Sequence, residues 1–541
     1  MNLPVMSLNF PANGPPDRMT AEPFYITTAI SYPNGRPHMG HAYEAIAADA
    51  IVRFHRLSGR DAWLLTGTDE HGLKMAQTAR AAGRATIDLA DEMSGYFREM
   101  GAKLDISFDR FVRTSSPGHH RASQEMWRRM MDKGDLYLSR YEGWYSVRDE
   151  AYYDASELVE GEAGEKLSPQ GTPVEWTEEE SYFFRLSAYA DRLLDLFEKT
   201  PDFIQPASRR NEMIQFVRGG LKDLSVSRTS FDWGVKVPGD ERHVMYVWLD
   251  ALTAYISGLG FPDDTPEWRR YWPANIHLIG KDIVRFHTIY WPAFLMSAGL
   301  PLPRQVFGHG FVLNKGVKMS KSLGNVVDPI DLAGTYGVDQ LRYFLIRDVP
   351  FGQDGSYSHD AIVNRTNADL ANSFGNLAQR TLSQIFKNLD GVLPWPSAKS
   401  HRESDQQLLR EVQNAIGDFK REFGALDLSR GVEHWLRGVF ACNQYIDAEA
   451  PWALKKTDPE RMGNVLATLF MAIHDLAICI WPVIPASAAK LLDQMGVPAN
   501  RRDFDAILDV ERYNRIAQSG FRLAQPQGVF PRFVDADDPA G

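Results

Sequence analysis

Hydrophobic and polar positions follow two different periods along the chain. The apolar, β-branched run 24–28 is typical of a buried strand, whereas apolar residues recur at helical spacing from 42 to 54. A second strand is predicted at 61–67, and strand and helix patterns go on alternating to about residue 137. This alternation predicts one half of a parallel α/β domain.

Further along, the pattern changes several times, and each change predicts a boundary. Glycines, acidic runs and short aromatic strands indicate an insertion, strand patterns return at 244–248 and 276–280, and helical periodicity prevails from about residue 365 to the end. We predict a disordered leader (1–21), a first α/β half (22–137) and an insertion (138–225). A second α/β half (226–310), a lysine-rich loop with the region after it (311–365) and a helical bundle (366–541) are expected to follow.

Composition narrows the class of protein. A length of 541 residues exceeds what a single core supports, so several domains are expected. The cysteines, Cys442 and Cys479, are too few for a disulfide framework, which predicts a reducing, cytoplasmic location. The start lacks the features of a secretory signal, and no run is expected to be long and apolar enough to cross a membrane. The net charge of -11 argues against indiscriminate nucleic-acid binding but allows a local basic groove.

The turn between the first strand and the first helix carries two histidines. Pro33 and Gly35 interrupt regular structure, and His38 and His41 share one face of the first helical turn. A helix N-terminus presents N–H groups and a partial positive charge, so two imidazole donors there predict a phosphate-binding site. Gly40 would let a ligand approach the backbone. The simpler interpretation is a pair of surface histidines.

A second stretch, 314–325, surrounds three lysines and two serines with glycines. Glycine makes a loop mobile and lysine gives it charge, so such a loop can close on a polyphosphate. It can then neutralise the charge that develops on departing pyrophosphate. The competing interpretation is a solvated basic turn, which the complete run from Lys318 to Ser322 disfavours.

Together, His38-Met39-Gly40-His41 and Lys318-Met319-Ser320-Lys321-Ser322 resemble the two signature motifs of class I aminoacyl-tRNA synthetases. The surrounding segments, from about residue 24 into the C-terminal helices, resemble the methionyl-tRNA synthetase family. The resemblance implies an α/β Rossmann-type catalytic domain with a connective insertion at 138–225. A stem-contact region after the lysine loop and an all-α anticodon-binding bundle at 366–541 would follow it.

The resemblance also implies the reaction of a methionine-tRNA ligase. L-Methionine and ATP, the latter as its Mg²⁺ complex, would form methionyl-adenylate with loss of pyrophosphate. The adenylate would then acylate initiator and elongator tRNA(Met) for translation initiation and elongation. No membrane or DNA partner is implied. The family's appended dimerisation module is not expected, because only about 60 residues follow Val483, so we predict a monomer. Homocysteine editing stays undecided.

Site residues can be assigned from the resemblance, position by position. The residues implied to act in catalysis are His38, His41, Lys318 and Lys321. Those implied to bind ATP are His38, Gly40, His41, Lys281, Asp282, Lys318, Ser320, Lys321 and Ser322. Those implied to bind methionine are Ala29, Ile30, Tyr32, Asp69, Trp248, Ala251, Tyr255, Ile283, Phe286 and His287. Those implied to read the CAU anticodon are Asn376, Arg380 and Trp452.

The chemistry of these side chains fits the implied roles. A thioether is apolar and polarizable, so an aromatic slot with one or two polar tips suits it, while Asp69 would hold the substrate ammonium. Asn376 and Arg380 lie four residues apart on one helical face, and Trp452 offers a plane on which a base can stack. The plainer interpretations are core aromatics, a helix N-cap at Asp69 and a buried Trp452.

No structural zinc is expected in the insertion. The segments 145–152, 161–166 and 174–176 contain neither cysteine nor histidine, whereas structural zinc needs four ligands that are almost always thiolate or imidazole. We therefore predict no metal ligands. Apolar side chains are expected to hold the tip of the insertion instead, namely Tyr152, Tyr153, Leu158, Val159, Val174 and Trp176.

Three alternatives stay open from sequence. The first is a synthetase for leucine, isoleucine, valine or cysteine on the same scaffold, which the short insertion and the aromatic pocket disfavour. The second is a metal-dependent hydrolase that uses His38 and His41, although the glutamate-containing histidine pair of zincins is missing. The third is an RNA-binding module without catalytic activity, which two intact phosphate motifs disfavour.

Overall fold

A computed structural model describes residues 21–146, 151–153, 155–161, 164–314, 316–319, 326–394, 402–507, 513, 516–519 and 521–533, so all but the last residue of the predicted leader lies outside it. The strands are β1 (Pro23–Thr28), β2 (Asp61–Thr68), β3 (Arg110–Arg113), β4 (Leu136–Ser146), β5 (Ala151–Tyr153), β6 (Val159–Glu160), β7 (Lys166–Leu167), β8 (Glu175–Phe184), β9 (Ile204–Gln205), β10 (Leu224–Ser225), β11 (Ser227–Arg228), β12 (Lys236–Val237), β13 (Asp240–Met245), β14 (Ile276–Gly280), β15 (Val306–His309), β16 (Val312–Asn314), β17 (Val317–Lys318) and β18 (Gly355–Tyr357). The α-helices are α1 (Met39–Leu57), α2 (Leu73–Ala81), α3 (Thr86–Lys103), α4 (Pro117–Asp132), α5 (Ala190–Lys199), α6 (Ala207–Arg218), α7 (Val247–Ser257), α8 (Pro266–Tyr271), α9 (Trp291–Ala298), α10 (Pro329–Tyr336), α11 (Val338–Asp348), α12 (His359–Arg365), α13 (Asn376–Asn388), α14 (Glu403–Gly424), α15 (Leu428–Glu449), α16 (Pro451–Thr457), α17 (Pro459–Ile480) and α18 (Pro485–Gln494).

Six parallel strands form the central sheet, in the order β3-β2-β1-β14-β15-β9. β1 lies in the middle, with Ile26 opposite Leu64 of β2 on one side and Ile276 of β14 on the other. Helices cover both faces of such a sheet, so its central strands are continuous apolar runs, as β1 is. The predicted parallel α/β fold is therefore confirmed, and its two halves meet between β1 and β14.

Strand β9 shows where the predicted insertion departs from the structure. Ile204 and Gln205 lie inside the range 138–225, yet they pair in parallel with Val306 and Phe307 at the edge of the central sheet. That part of the range is therefore not insertion in structural terms. A pairing of two residues with a strand far along the chain leaves no periodic signal that sequence analysis can detect.

The strand predicted at 244–248 is only half correct. Val244 and Met245 belong to β13, but Val247 and Trp248 begin helix α7. β13 pairs antiparallel with β11 and β12 in a small separate sheet, not in the central one. A short apolar run fits a strand and a buried helix equally well, and here the run spans the junction of both.

The insertion is built on an antiparallel sheet in the order β10-β8-β4-β5, with β6 and β7 as a separate hairpin. Of the apolar side chains expected to hold its tip, Tyr153 and Val174 are buried, whereas Val159 and Trp176 are 47% and 53% exposed. Trp176 nevertheless packs edge-on against Trp144 at 5.5 Å between ring centroids. Within the described part of the chain, no group of three or more His, Cys, Asp or Glu side chains is placed to hold a metal ion. The absence of zinc stays a prediction, since residues 147–150, 154, 162 and 163 of this region lie outside the description.

The second part of the chain is helical, as predicted, but it begins with a π-helical segment and ends with a stretch that is not helical. The π-helical segment Thr366–Gly375 leads into α13, and α14 and α15 pack against each other and against α17. The final residues depart from the helical prediction, because 521–533 run back over the bundle in irregular conformation. Asn367 exchanges two hydrogen bonds with the backbone of Phe533, which ties this tail to the start of the bundle.

Among the residues that the structure describes, one helix is long and apolar enough to cross a membrane by length and composition, contrary to the sequence expectation. In α17, 94% of the most apolar window is buried inside the protein. The core helix of a bundle meets the same criteria as a membrane span, because it is apolar on all sides. The burial of α17 therefore accounts for its composition.

Asp49 of α1 and Arg342 of α11 form a fully buried ion pair between the α/β part and the helices behind it. Arg342 Nη2 lies 2.6 Å from Asp49 Oδ2, and the same guanidinium donates to the carbonyls of Pro482 and Val483. Burial alone would raise the pKa of Asp49, but Arg342 and then Arg53 more than compensate, so this pKa is lowered. The carboxylate stays charged and holds α1 against the helical part of the chain.

We expect Arg342→Met to lower the free energy of unfolding by about 3 kcal/mol or more, because a buried carboxylate loses its main charged partner. The matched control is Arg410→Met, which removes an exposed pair with Glu403 and should cost less than about 1 kcal/mol. Urea unfolding followed by circular dichroism measures both. Equal, small effects would contradict the structural role assigned to the buried pair.

Candidate active site

The candidate site lies at the carboxyl edge of the central sheet. β1 and β14 are neighbours there although the chain runs from β1 to β2 on the other side, so loops diverge from the point between them. Such a switch point leaves a crevice in open α/β sheets, where ligands bind. The turn with His38, the segment after β2 with Asp69, and the segment after β14 with Lys281 all border it.

His38 and His41 hold the first turn of α1 together. His38 Nδ1 accepts the N–H of Gly40 at 3.0 Å, and His41 Nδ1 accepts the N–H of His38 at 3.1 Å. The centroids of the two imidazole rings lie 3.9 Å apart. Because each Nδ1 is an acceptor, the proton of each neutral imidazole lies on Nε2, which becomes a hydrogen-bond donor.

This arrangement changes the expected role of Gly40. The sequence predicts that Gly40 lets a ligand approach the backbone, whereas in the structure the N–H of Gly40 already donates to His38 Nδ1. A Cβ atom at position 40 would lie 2.9 Å from Cε1 of His38, so glycine is needed here to let the imidazole fold back over the helix start. The donors that this turn offers are therefore imidazole Nε2 atoms as much as backbone groups.

An aromatic wall lines one side of the crevice. Trp248 of α7 stacks on Phe286 at 3.7 Å between ring centroids, with an interplanar angle of 7°. Ala251 and Tyr255, on the same helix as Trp248, are buried. The structure thus brings the side chains predicted from α7 and from the segment after β14 into one cluster.

The polar tip of this wall is a buried hydrogen bond between Tyr255 and His287. Tyr255 Oη lies 2.6 Å from His287 Nε2, and His287 Nδ1 lies 3.0 Å from the carbonyl of Ile283. A carbonyl only accepts, so Nδ1 carries the proton and Nε2 accepts the tyrosine O–H. Burial lowers the pKa of His287 to about 4, which keeps the ring neutral.

The opposite side of the crevice comes from the ends of β1 and β2. The N–H of Asp69 donates to the carbonyl of Ser31 at 2.9 Å, and the backbone of Ile30 hydrogen-bonds the Tyr255 hydroxyl. The hydroxyl of Tyr32 accepts the N–H of Met75 at 3.1 Å. The N-cap alternative for Asp69 is wrong, because α2 begins four residues later, after Gly72. Asp69 is buried beside the aromatic wall.

Lys281 is engaged in an ion pair. Its Nζ lies 2.7 Å from Asp354 Oδ2, and the Oδ1 atom of the same carboxylate accepts the N–H of Phe311. Lys281 also lies over the ring of Phe311 at 4.6 Å. These contacts join the end of β14, the start of the lysine loop and the segment before β18. Asp282 follows Lys281 at the same edge of the sheet.

The lysine loop is described only in part. Its base is the pairing of β16 with β17, which includes Lys318, and β16 also pairs with β18. Met319 is buried in the main core, so the loop is anchored next to its charged residues. Ser320, Lys321 and Ser322 and the side chain of Lys318 lie outside the described residues.

Sequence analysis missed a carboxylate–imidazole pair beneath the crevice. Glu44 Oε1 accepts the N–H of Ala29, and Glu44 Oε2 lies 2.8 Å from His309 Nε2. Burial raises the pKa of Glu44, whereas Glu44 raises the pKa of His309 against the effect of burial. The pair ties α1 to the ends of β1 and β15. The available signal was a glutamate within an otherwise apolar face of α1.

A second cluster lies in the helical part, where Arg380 faces Trp452. The guanidinium carbon of Arg380 is 5.1 Å from the Trp452 ring centroid, and Nη2 donates to Asp447 Oδ1 at 2.8 Å. Trp452 is 45% exposed, so the interpretation of a buried tryptophan is wrong. Asn376 is exposed one turn before Arg380 on α13. The three predicted residues therefore share one open surface.

Comparison with family models decides the family. Residues 24–382 match the model of tRNA synthetases class I (M), and residues 395–540 match the anticodon binding domain of methionyl tRNA ligase. The chain belongs to the class I methionyl-tRNA synthetases. The second cluster draws on both matched regions, since Asn376 and Arg380 fall in the first and Trp452 in the second.

Relatives match over nearly the whole chain. The methionine–tRNA ligase of Brucella suis biovar 1 (strain 1330) is 56% identical over 520 residues, which are 96% of this chain and 100% of that relative. A solved structure of Mycobacterium tuberculosis methionyl-tRNA synthetase in complex with methionyl-adenylate has a TM-score of 0.89 at 53% identity, covering 94% of this chain and 100% of that chain. The free-state form of the Mycobacterium tuberculosis enzyme has a TM-score of 0.84 at 49% identity, with 95% and 99% covered. The predicted family and architecture are confirmed.

Proposed function

We propose that this class I synthetase is a methionine–tRNA ligase that activates L-methionine with ATP and transfers it to the 3′ end of tRNA(Met), with the residue roles given below. The observation that carries the proposal is the neutral aromatic slot between α7 and β14, in a chain whose relatives are methionine–tRNA ligases. Synthetases for leucine, isoleucine, valine or cysteine are disfavoured by the same observation.

Methionine would lie between the two sides of the crevice. Asp69, buried at the end of β2, would pair with the substrate ammonium, and Trp248 with Phe286 would pack on the thioether chain. Tyr255 already donates its O–H to His287, so towards other groups its hydroxyl oxygen can act only as a hydrogen-bond acceptor. Ala29, Ile30, Tyr32, Ala251 and Ile283 complete the proposed slot.

ATP, as its Mg²⁺ complex, would lie over the start of α1. The Nε2 donors of His38 and His41 and the partial positive charge of the helix end would stabilise the phosphates during attack by the methionine carboxylate. Lys318 and Lys321, with Ser320 and Ser322, would close over the departing pyrophosphate. Gly40, Lys281 and Asp282 would orient the nucleotide, and Lys281 would do so from its contact with Asp354.

The surface around Trp452 would read the anticodon of initiator and elongator tRNA(Met). An exposed indole beside a guanidinium offers a stacking plane and hydrogen-bond donors to one unpaired base. Asn376 would add a contact from the same face. The monomeric state, the cytoplasmic location, the absence of zinc and the domain limits stay predictions.

Amino-acid-dependent exchange of pyrophosphate into ATP, run in parallel with all twenty amino acids, tests the proposal directly. We expect exchange with methionine alone, and acylation of tRNA(Met) only by methionine. Exchange with another amino acid would assign a different synthetase. Binding of ATP and methionine without exchange would favour an RNA-binding module without catalytic activity.

The affinity for methionine should vary little with pH through the neutral range. Because the pKa of His287 is about 4, the ring stays neutral and keeps accepting the Tyr255 O–H until the pH falls towards about 4. Calorimetric titration should give a dissociation constant that is constant within about twofold from about pH 8 to about pH 6. A tenfold weakening across that range would mean that His287 titrates near its ordinary pKa.

Replacement of Trp452 should affect tRNA and spare the adenylation step. We expect Trp452→Ala to raise the KM for tRNA about tenfold, as for loss of one base-stacking contact, with pyrophosphate exchange unchanged. Trp452→Phe keeps an aromatic plane and should recover most of the affinity. A parallel loss of exchange activity in Trp452→Ala would instead indicate a role in folding.

A further inference from the structure

A buried carboxylate on α7 binds two imidazoles from two other elements. Asp250 Oδ2 lies 2.5 Å from His71 Nδ1, and Asp250 Oδ1 lies 2.6 Å from His119 Nε2. All three side chains are almost completely buried. None of these three residues is among those proposed above to bind methionine, ATP or tRNA, so the proposed function does not yet explain the group.

Each imidazole connects Asp250 to a different part of the catalytic domain. His71 follows Asp69 by two residues at the end of β2, and its ring packs edge-on against Trp233 at 5.4 Å between centroids. His119 lies in the first turn of α4, where its Nδ1 also contacts Ser257 Oγ at 2.8 Å. His119 therefore contacts α7 at two points, two turns apart.

Asp250 lies on the helix that supplies the aromatic wall. Trp248, Ala251 and Tyr255 are spaced three and four residues apart, which places them on one face of α7, while Asp250 and Ser257 point to another. The carboxylate thus links the wall proposed for the thioether with the segment that carries Asp69, proposed for the ammonium. The two ends of one amino acid would be held by these two parts.

We propose that Asp250 is a positioning residue for methionine selection, because its bonds to His71 and His119 set the distance between Asp69 and the wall formed by Trp248, Ala251 and Tyr255. The inference rests on the proposed function. A carboxylate suits this position, since each of its two oxygens accepts one imidazole N–H. The resulting charge-assisted bonds are shorter and about twice as strong as neutral ones.

Asp250→Asn tests the role at constant volume. The amide offers one neutral oxygen as an acceptor and one NH2 group as a donor in place of the two charged oxygens. One imidazole must therefore change its tautomer to accept a hydrogen bond, and both bonds weaken. In pyrophosphate exchange we expect the KM for methionine to rise about tenfold, with kcat and the KM for ATP within about twofold of the original. The preference for methionine over S-methylcysteine, which is one methylene shorter, should also fall, because the slot no longer holds one length.

Asp61→Asn is the matched control. Asp61 Oδ2 also has two partners, Arg270 Nε at 2.6 Å and Tyr271 Oη at 2.9 Å, in the same domain but at the opposite end of β2. This variant should leave all three kinetic constants within about twofold, since it touches no part of the proposed slot. His71→Gln breaks the connection to the Asp69 segment alone and should reproduce the rise in the KM for methionine. It supplies the same comparison if Asp250→Asn does not fold.

The outcomes separate the inference from the proposed function. Uniform changes in all three constants, or unchanged methionine selection in a folded Asp250→Asn or His71→Gln variant, would overturn the positioning role while the original protein still exchanges with methionine. Loss of methionine-dependent exchange in the original protein itself would overturn the proposed function, and this inference with it.

Discussion

Helix α1 contacts three different surroundings at once, and this requirement fixes the placement of the elements around it. Its N-terminus lies at the open edge of the sheet, where His38 and His41 cap it. Its middle lies against β1 and β2 with almost complete burial. Its far side carries Asp49, which reaches Arg342 and, through it, the carbonyls at 482 and 483. A shift of this helix would therefore change the positions of residues both in the crevice and in the helical bundle.

Charge is distributed unevenly around the crevice, and the difference follows from burial. On the side proposed for methionine the imidazoles are kept neutral, since burial lowers the pKa of both His277 and His287, and Asp69 is the buried carboxylate proposed for the ammonium. The side proposed for ATP carries hydrogen-bond donors and a cation, namely the histidines at the start of α1 and Lys281. A thioether gains nothing from charge, whereas a polyphosphate requires it.

Buried carboxylates recur as the connections between elements. Asp49, Glu44 and Asp250 each sit on a helix and each accept donors from two other segments. Isolated burial of a charge is costly, so each of these groups is stable only because its partners arrive with correct geometry. This requirement makes the stability of these pairs sensitive to the relative placement of the elements that they join.

The local elements, and the chemistry that their side chains could carry, were predictable from short stretches of sequence. The first strand, the turn with its histidines, the lysine-rich run and the amphipathic helices are encoded within short windows, since strand and helix periods and helix caps are local properties. Trp248, Tyr255, Phe286 and His287 were assigned to the crevice only through the family resemblance, because aromatic residues taken singly are more often core residues. Which of these residues are in contact became known only from the packing of the folded chain. The junction at Val247, the edge strand β9, the pair of Glu44 with His309 and the triad around Asp250 join residues far apart along the chain. Such pairings depend on the packing of whole elements, and that packing leaves no periodic trace in the sequence.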